Sequence, residues 1–552
     1  MRIPVAQAAA EVMKEQNTKV VFGIPGGQTL FLNNALLDAD IQFVATRHEG
    51  AAGHAADGWG RLTGTPGFCL ATTGPGATNL LTPIGGALRD SSPMIALIFQ
   101  NRLADVGRGD AQEANHEAIF TSLVKEYIPV RHPDAAVWAM REAYRVAMSG
   151  RPGPVVVDFY RDVLEEGVCE YEYKDPKSYC FQPIVPPNQE NLTKAADFLA
   201  KTAKVCILCG NGVKLSHASD KVLKLAEKLN APMVTTFNGI GSVPTTHPLV
   251  YGARTRHGSA FTKSILESAD SVLVLGSSMS AVGTNRWGLK LNNIIQVDFD
   301  SKNIGRHYPV ECGIVGDIGL TIDALLNTLP SASEGNKKIN SEWVTGIDKD
   351  FDAWKKKVYS GSINDSKAVP APPVAVMREL SELLKDDEIV CIDAGNPGAW
   401  SHLLTLKEKV SYMKPVNYGN MAFAVPAGMA SSLAEPGREV ISILGDGSMG
   451  MCLGELESVA RSGSKQIVIV LNDGAYGNIR QEENFKFGPR YTGVDLTQLD
   501  FAEIARNAGM GGETIRKAED LKAAIERARE HKGNYLINIL FDGSYSVWPE
   551  AF

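Results

Sequence analysis

Two carboxylates carry the first chemical signal in the chain. The apolar run VISIL (440–444) ends in Gly445-Asp446-Gly447-Ser448, and the apolar run IVIVL (467–471) ends in Asn472-Asp473-Gly474. Each run reads as a buried strand of a parallel sheet, with a crossover helix between them from about Met449 to Arg461. Such sheets bind ligands outside the carboxyl ends of their strands, so both polar ends share one rim. Asp446 and Asp473 can therefore converge on a hard cation such as magnesium, which takes carboxylate and carbonyl oxygens and shares those of phosphates. The helix N-terminus after Gly447 offers unpaired N–H groups and a positive dipole end to the same phosphates. Alone, Gly-Asp-Gly is a common tight turn. A strand before it, a helix after it and a second polar strand end 27 residues beyond Asp446 make the combination specific.

A third carboxylate, Glu49, lies in TRHEGAAGHAADGWGRLTG (46–64). Beside Arg47 and His48, an isolated Glu would be a surface ion pair. Here the apolar IQFV leads in and the small-residue run GAAGHAA leads out, which favours burial. A desolvated carboxylate can share a proton with a ligand in a way that a solvated one does poorly.

The elements that must position these groups fall into three stretches that alternate β-branched apolar runs with helical segments. That is the pattern of an α/β chain with three doubly wound parallel-sheet domains. The expected boundaries are 1–170, 190–332 and 368–552. Strands are expected at 20–24, 43–47, 67–73, 94–99 and 154–159 in the first stretch. The second has 205–210, 232–237, 271–276 and 294–300, and the third has 388–395, 440–447, 467–473 and 535–542. The intervening stretches, 173–189 and 330–338 onward to 366–373, are rich in Pro, Ser or Lys and read as linkers.

At 552 residues the chain is too long for one core, and 44% apolar with 21% charged residues excludes wholesale disorder. A net charge of −8 without a basic run argues against nucleic acid or an anionic membrane as partner. Neither a membrane span nor a signal pattern is visible, so a cytoplasmic location is expected. The eight cysteines sit mostly in apolar surroundings and read as reduced core thiols. Cys206 and Cys209 form a CxxC that lacks the second pair or histidines of a metal site.

The Gly-Asp-Gly constellation resembles the signature of the thiamine diphosphate enzymes, and the resemblance extends along nearly the whole chain. It implies pyrimidine-binding, central Rossmann-like and diphosphate-binding domains in that order, with thiamine diphosphate and Mg2+ as cofactors. By this match Glu49 is the carboxylate that activates the pyrimidine. FGIPGG (22–27) and ATTGPGATN (71–79) resemble the glycine loops at the pyrimidine end, which places Gly26, Thr73 and Asn79 at the cofactor and Gly27 among the catalytic positions. In YGNMAFAVPAG (418–428), Gly419 resembles the residue whose carbonyl holds the 4′-amino group. Met421 resembles the wedge that bends the cofactor, although methionine is more often plain core. DAGNPGAW (393–400) resembles the diphosphate loop, with Asn396 as its polar contact. Gly445, Asp446, Gly447, Ser448, Asp473, Ala475, Tyr476 and Gly477 complete the cofactor set. The metal ligands implied are Asp446, Asp473 and the carbonyl of Ala475, with Asn472 as the alternative to Asp473.

Within that superfamily the segments are most similar to the acetolactate (acetohydroxyacid) synthase-like branch. GDAQEANHEAIFTSLVKEY (109–127) would bring Gln112 and Lys125 to the substrate half of the cleft, unless either is an exposed helix residue. The resemblance implies a 2-oxo-acid decarboxylase/carboligase that uses a donor such as pyruvate and a second carbonyl as acceptor. The alternative is a non-ligating decarboxylase or C–C lyase that releases an aldehyde. Glu482 falls where biosynthetic relatives place an acceptor-selecting Trp, and its charge would need neutralising by Arg480 or Arg490. The segment GSSMSAVGT (276–284) replaces an arginine-bearing flavin contact, so FAD is not favoured. Sites between two chains are implied, hence a homodimer or homotetramer.

Overall fold

The computed structural model describes residues 1–181, 184–254 and 260–546. Three six-stranded sheets follow one another along the chain, and every strand pair within them is parallel. β1 (Arg2–Pro4) starts the chain. The first sheet holds β2 (Val20–Gly23), β3 (Gln42–Ala45), β4 (Gly67–Ala71), β5 (Met94–Gln100), β6 (Glu126–Val130) and β7 (Pro154–Tyr160), in the order β3-β2-β4-β5-β7-β6. β8 (Val168–Glu170) then pairs antiparallel with β1.

The second sheet holds β9 (Val205–Cys209), β10 (Met233–Thr236), β11 (Val250–Arg254), β12 (Ser271–Leu275), β13 (Ile294–Asp298) and β14 (Cys312–Val315), ordered β11-β10-β9-β12-β13-β14. The third holds β15 (Ile389–Ile392), β16 (Ser411–Met413), β17 (Val440–Gly445), β18 (Ile467–Asn472), β19 (Gly511–Ile515) and β20 (Tyr535–Leu540), ordered β16-β15-β17-β18-β20-β19. Central strands such as β5, β7 and β9 are buried on both faces. That is why they read as continuous apolar runs rather than alternating ones.

Helices cover the sheets, and the first and third sheets share one apolar core. Its centre is the contact between helices Glu49–Thr63 and Ala424–Ala434, both built from Gly, Ala and other small residues so that their backbones approach closely. A Cβ on Gly58 would lie 2.6 Å from the Cα of Ala427. Polar ties flank this seam. Arg61 pairs with Asp57 at 2.8 Å and Asp90 at 3.2 Å and donates to the carbonyl of Lys414 at 2.8 Å.

Two local expectations are corrected. The stretch after residue 330, read as linker, contains the 25-residue helix Glu334–Val358. Its Phe351 and Trp354 stack with Phe261, and its Asp348 accepts the Tyr251 hydroxyl at 2.7 Å, so it packs on the second sheet. The crossover after β17 is two helices, Asp446–Met451 and Glu455–Arg461, broken at 452–454. The first begins at Asp446 itself, not at Met449, and is six residues long, so its dipole contribution is small.

Candidate active site

β17 and β18 pair with Gly445 opposite Leu471, which brings their carboxyl ends level. Asp446 is 4% exposed. Its Oδ1 accepts the N–H of Gly447 at 2.8 Å and its Oδ2 that of Ala475 at 3.1 Å. Burial raises the Asp446 carboxyl above the ordinary carboxylate range. Burial and then the neighbouring Asp446 push Asp473 up to about 7. Two acids that resist ionising together in one half-buried rim are a setting that a divalent cation would relieve. Among the described residues no group of three or more His, Cys, Asp and Glu is placed to hold a metal, so any cation here would complete its shell with carbonyl and ligand oxygens. The Asn472 amide donates to the Leu499 carbonyl at 2.8 Å and to Asn538 Oδ1 on β20 at 3.1 Å. Asn472 Oδ1 is buried without a hydrogen-bond partner, so both Asn472 and Asp473 keep an oxygen for a ligand.

Bare backbone surrounds that rim. A Cβ on Gly477 would lie 2.3 Å from Asp473 Oδ2 and 2.7 Å from Asn396 Nδ2, and one on Gly543 would lie 2.4 Å from the same Oδ2. Asn396 is buried, its Oδ1 accepts from Asn478 at 3.3 Å, and its Nδ2 has no hydrogen-bond partner. An orphaned buried donor beside two carboxylates and a row of glycines fits the phosphate oxygens of a cation-bound diphosphate. Gly447 faces the Tyr476 ring, with Met421 Cε 3.5 Å from where a Cβ would stand. Ser448 is buried in the same turn.

Met421 sits on a loop with left-handed residues on both sides, Gly419 at φ +71° and Ala422 at φ +66°. Asp393, the residue just beyond β15, anchors that loop. Its Oδ2 accepts the N–H of Phe423 at 3.1 Å and of Ala424 at 3.5 Å, and its Oδ1 that of Ala394 at 2.9 Å. Full burial raises its pKa to about 6. Sequence reasoning passed over Asp393 in favour of Asn396, although its place as first polar residue after a buried strand was a usable signal.

The second cluster gathers around Glu49, the first residue of its helix and 8% exposed. His48 caps the helix by accepting the Gly50 N–H at 2.9 Å. Asn79 donates to Glu49 Oε2 at 2.9 Å, and a Cβ on Gly76 would stand 3.3 Å from Oε1. Glu455, buried at the start of the helix after the Gly-Asp-Gly turn, accepts the backbone N–H groups of Arg47 and His48, each at 3.0 Å. That tie was not visible in the sequence, because the partners lie about 400 positions apart. The two glycine loops also meet. Thr72 donates to Gln28 at 2.6 Å, the Gly26 N–H donates to Thr29 Oγ1 at 3.0 Å, and Thr73 is buried and bonded to the Phe99 carbonyl. Gly27 faces open space.

Gln112 is exposed at φ +62°, in the loop leaving the carboxyl end of β5, on the same rim as these loops. Lys125 lies at the other end of that sheet. It precedes β6, at the amino end of the sheet, and its ammonium bonds the carbonyls of Val146 and Ser149 at the end of a helix. Burial, then Arg145 and Arg151, lowers its pKa to about 8. Glu482 pairs with Lys486 at 2.7 Å, and Arg480 reaches Asp495 at 3.3 Å. Among the described residues, neither Glu49 nor Gln112 shares a hydrogen bond with Asp446, Asp473, Asn396 or Met421.

Between the three sheets lies a cavity of about 650 Å³, lined among others by Asp90, Arg151, Lys214, Asp298 and Lys414. It includes Gly276 to Ser280 of the segment in which the flavin contact is missing. No helix among the described residues is long and apolar enough to cross a membrane.

Family models match the chain in three consecutive pieces: the thiamine pyrophosphate enzyme N-terminal TPP binding domain over 3–119, the central domain over 192–325 and the C-terminal TPP binding domain over 393–539. Full-length similarity runs to a probable acetolactate synthase large subunit of Methanocaldococcus jannaschii, 30% identical over 550 residues, covering 97% of this chain and 92% of the relative. The acetolactate synthase large subunit of Corynebacterium glutamicum is 31% identical over 99% of this chain and 88% of its own length. An acetolactate synthase of Mycobacterium bovis is 31% identical, with 99% and 89% covered.

Proposed function

The chain belongs to the thiamine pyrophosphate enzymes, in their acetolactate synthase-like branch, and from that premise we propose that it is a magnesium-dependent 2-oxo-acid decarboxylase and carboligase. Bound thiamine diphosphate supplies the electron sink for loss of carbon dioxide. The protein's own residues bind, orient and move protons. Asp446 and Asp473, with the carbonyl of Ala475, hold the cation. Asn396 donates its unpaired amide N–H to the diphosphate, and Gly445, Gly447 and Gly477 let backbone approach it. Glu49 holds a proton at the pyrimidine, Gly419 and Met421 set the cofactor's posture, and Gln112 hydrogen-bonds the reacting oxygen.

The observation that carries this reading is the unpaired Asn396 amide N–H beside the Asp446 and Asp473 carboxyls, both raised by burial and Asp473 also by Asp446. The resemblance implies a site between two chains, and the complete site is assigned here to the meeting of two chains.

The test is incubation with magnesium, thiamine diphosphate and pyruvate, with NMR of the carbon products and Glu49→Gln as control. Acetolactate or acetoin, lost in the control, supports carboligation. Acetaldehyde alone selects the non-ligating alternative, and absence of turnover with bound cofactor rejects pyruvate as donor. Sedimentation of the holoenzyme as a monomer would remove the two-chain site.

A further inference from the structure

One buried polar cluster has no part in that scheme. His116, at the start of the helix His116–Phe120, has a fully buried side chain and places Nδ1 3.0 Å from Asp158 Oδ2, on the buried strand β7. Tyr127, on the neighbouring β6, donates its hydroxyl to the same oxygen at 2.5 Å. The other ring nitrogen, Nε2, accepts the backbone N–H of Gly74 at 3.2 Å. These partners dictate the tautomer. A backbone N–H can only donate and a carboxylate accepts, so the proton sits on Nδ1 and Nε2 is free to accept.

Gly74 has no local alternative. It sits at φ +58°, ψ −107°, a conformation that L side chains rarely adopt, and a Cβ there would lie 2.0 Å from the Gln112 carbonyl oxygen. Its buried amide would go unpaired without His116. Gly74 also caps the short helix Pro75–Asn79. Within that helix Gly76 walls Glu49 Oε1, and Asn79 donates to Glu49 Oε2 at 2.9 Å. A continuous set of contacts thus runs from Asp158 through His116 and Gly74 to both oxygens of Glu49, and touches the backbone of Gln112 on the way.

We infer that His116, held by Asp158 and Tyr127, is a positioning residue that seats the Gly74–Asn79 turn and so aims the Glu49 carboxylate. This rests on the reading of Glu49 as the carboxylate at the cofactor's pyrimidine. A carboxylate displaced by about 1 Å can lose on the order of 100-fold in rate while the group it serves stays bound.

The test measures, on the holoenzyme, deuterium exchange at C2 of bound thiamine diphosphate by quenched NMR, alongside cofactor affinity and thermal unfolding. His116→Leu removes the acceptor. His116→Gln can present an amide oxygen where Nε2 stood, whereas His116→Asn reaches only the Asp158 side. Expected are exchange slowed about 10- to 100-fold in His116→Leu and His116→Asn, cofactor affinity within about threefold of native, and recovery to within about threefold in His116→Gln. If His116→Leu fails to fold, the Asn and Gln pair decides. Native exchange in His116→Asn, or equal slowing in His116→Gln at equal melting temperature, overturns the inference. Glu49→Gln separates the two layers. Slow exchange in it with normal His116 variants rejects only the positioning role, and native exchange in it rejects the Glu49 reading and this inference together.

Discussion

Replacing Gly477 by Ala should weaken cation-dependent cofactor binding while leaving the fold intact. Gly477 opens the helix Gly477–Phe487 and lies outside the left-handed region, so its backbone accepts Ala without strain. The methyl group, however, would arrive 2.3 Å from Asp473 Oδ2 and 2.7 Å from Asn396 Nδ2. Relief to ordinary contact needs about 1 Å of movement by the carboxylate. Magnesium tolerates little of that, since it binds at about 2.0–2.1 Å in near-octahedral geometry. Losing one carboxylate from the shell should weaken cation-linked cofactor binding by about 10- to 100-fold, or about 1.4–2.8 kcal/mol. Calorimetric titration of thiamine diphosphate at stepped magnesium concentrations measures the loss, and thermal unfolding of the apoprotein should shift by less than about 1 kcal/mol equivalent. Gly543→Ala crowds the same oxygen and should behave alike, because its Cβ would stand 2.4 Å away. Gly437→Ala, in open space before β17, should change nothing. Native magnesium dependence in Gly477→Ala would refute the placement of the cation at Asp473, as would an equal loss in Gly437→Ala.

Three further outcomes are expected. Asp393 has its pKa raised from 3.8 to about 6 by burial, so the stability it contributes is full below about pH 3.8 and is lost as pH rises through about 6. The difference in urea stability between native protein and Asp393→Asn should therefore change by about 3 kcal/mol across that window and be flat outside it. Gly58→Ala should destabilise by about 1–3 kcal/mol in urea titration despite the better helix propensity of Ala, because its Cβ would meet Ala427 backbone at 2.6 Å. Glu455→Ala frees the N–H groups of Arg47 and His48 and should cost about 2–3 kcal/mol by the same measurement, with slower cofactor C2 exchange because Glu49 follows directly.

The strands that could be read from sequence and those that could not differ in where they lie in a sheet. All twelve interior strands announce themselves as apolar runs, VVFG, MIALIFQ and IVIVLN among them, because both faces are covered. Among the described residues of these three sheets, the five that sequence reasoning does not name are β6, β11, β14, β16 and β19, each an edge strand, and the two-stranded β1–β8 ladder is unnamed too. Half of an edge strand's surroundings are solvent or loop, so EYIPV can carry Pro and GGETI can open with two glycines without breaking a ladder on both sides. The helix Glu334–Val358 was hidden for a related reason. Its Lys- and Asp-rich outer face dominates the composition, while few of its side chains are fully buried.

The same logic separates the site residues that sequence could find from those it could not. Asp446 and Asp473 stand at the ends of apolar runs and Asn396 lies in the loop just beyond another, and in a parallel sheet that position places them on the binding rim. Motif resemblance fixes a residue's place along the chain but not which end of a strand it occupies. Lys125 precedes β6, where the chain enters the sheet, and its ammonium bonds the carbonyls at the end of a helix. Asp393 obeys the rim rule yet turns inward to three backbone amides, Glu455 accepts two backbone N–H groups, and His116 accepts one through Nε2. Side chains that bond main chain have partners of no particular sequence, so no spacing or motif can announce them. The residues that hold a catalytic carboxylate in place are for that reason harder to read than the carboxylate itself, and the His116 variants are where that argument meets experiment.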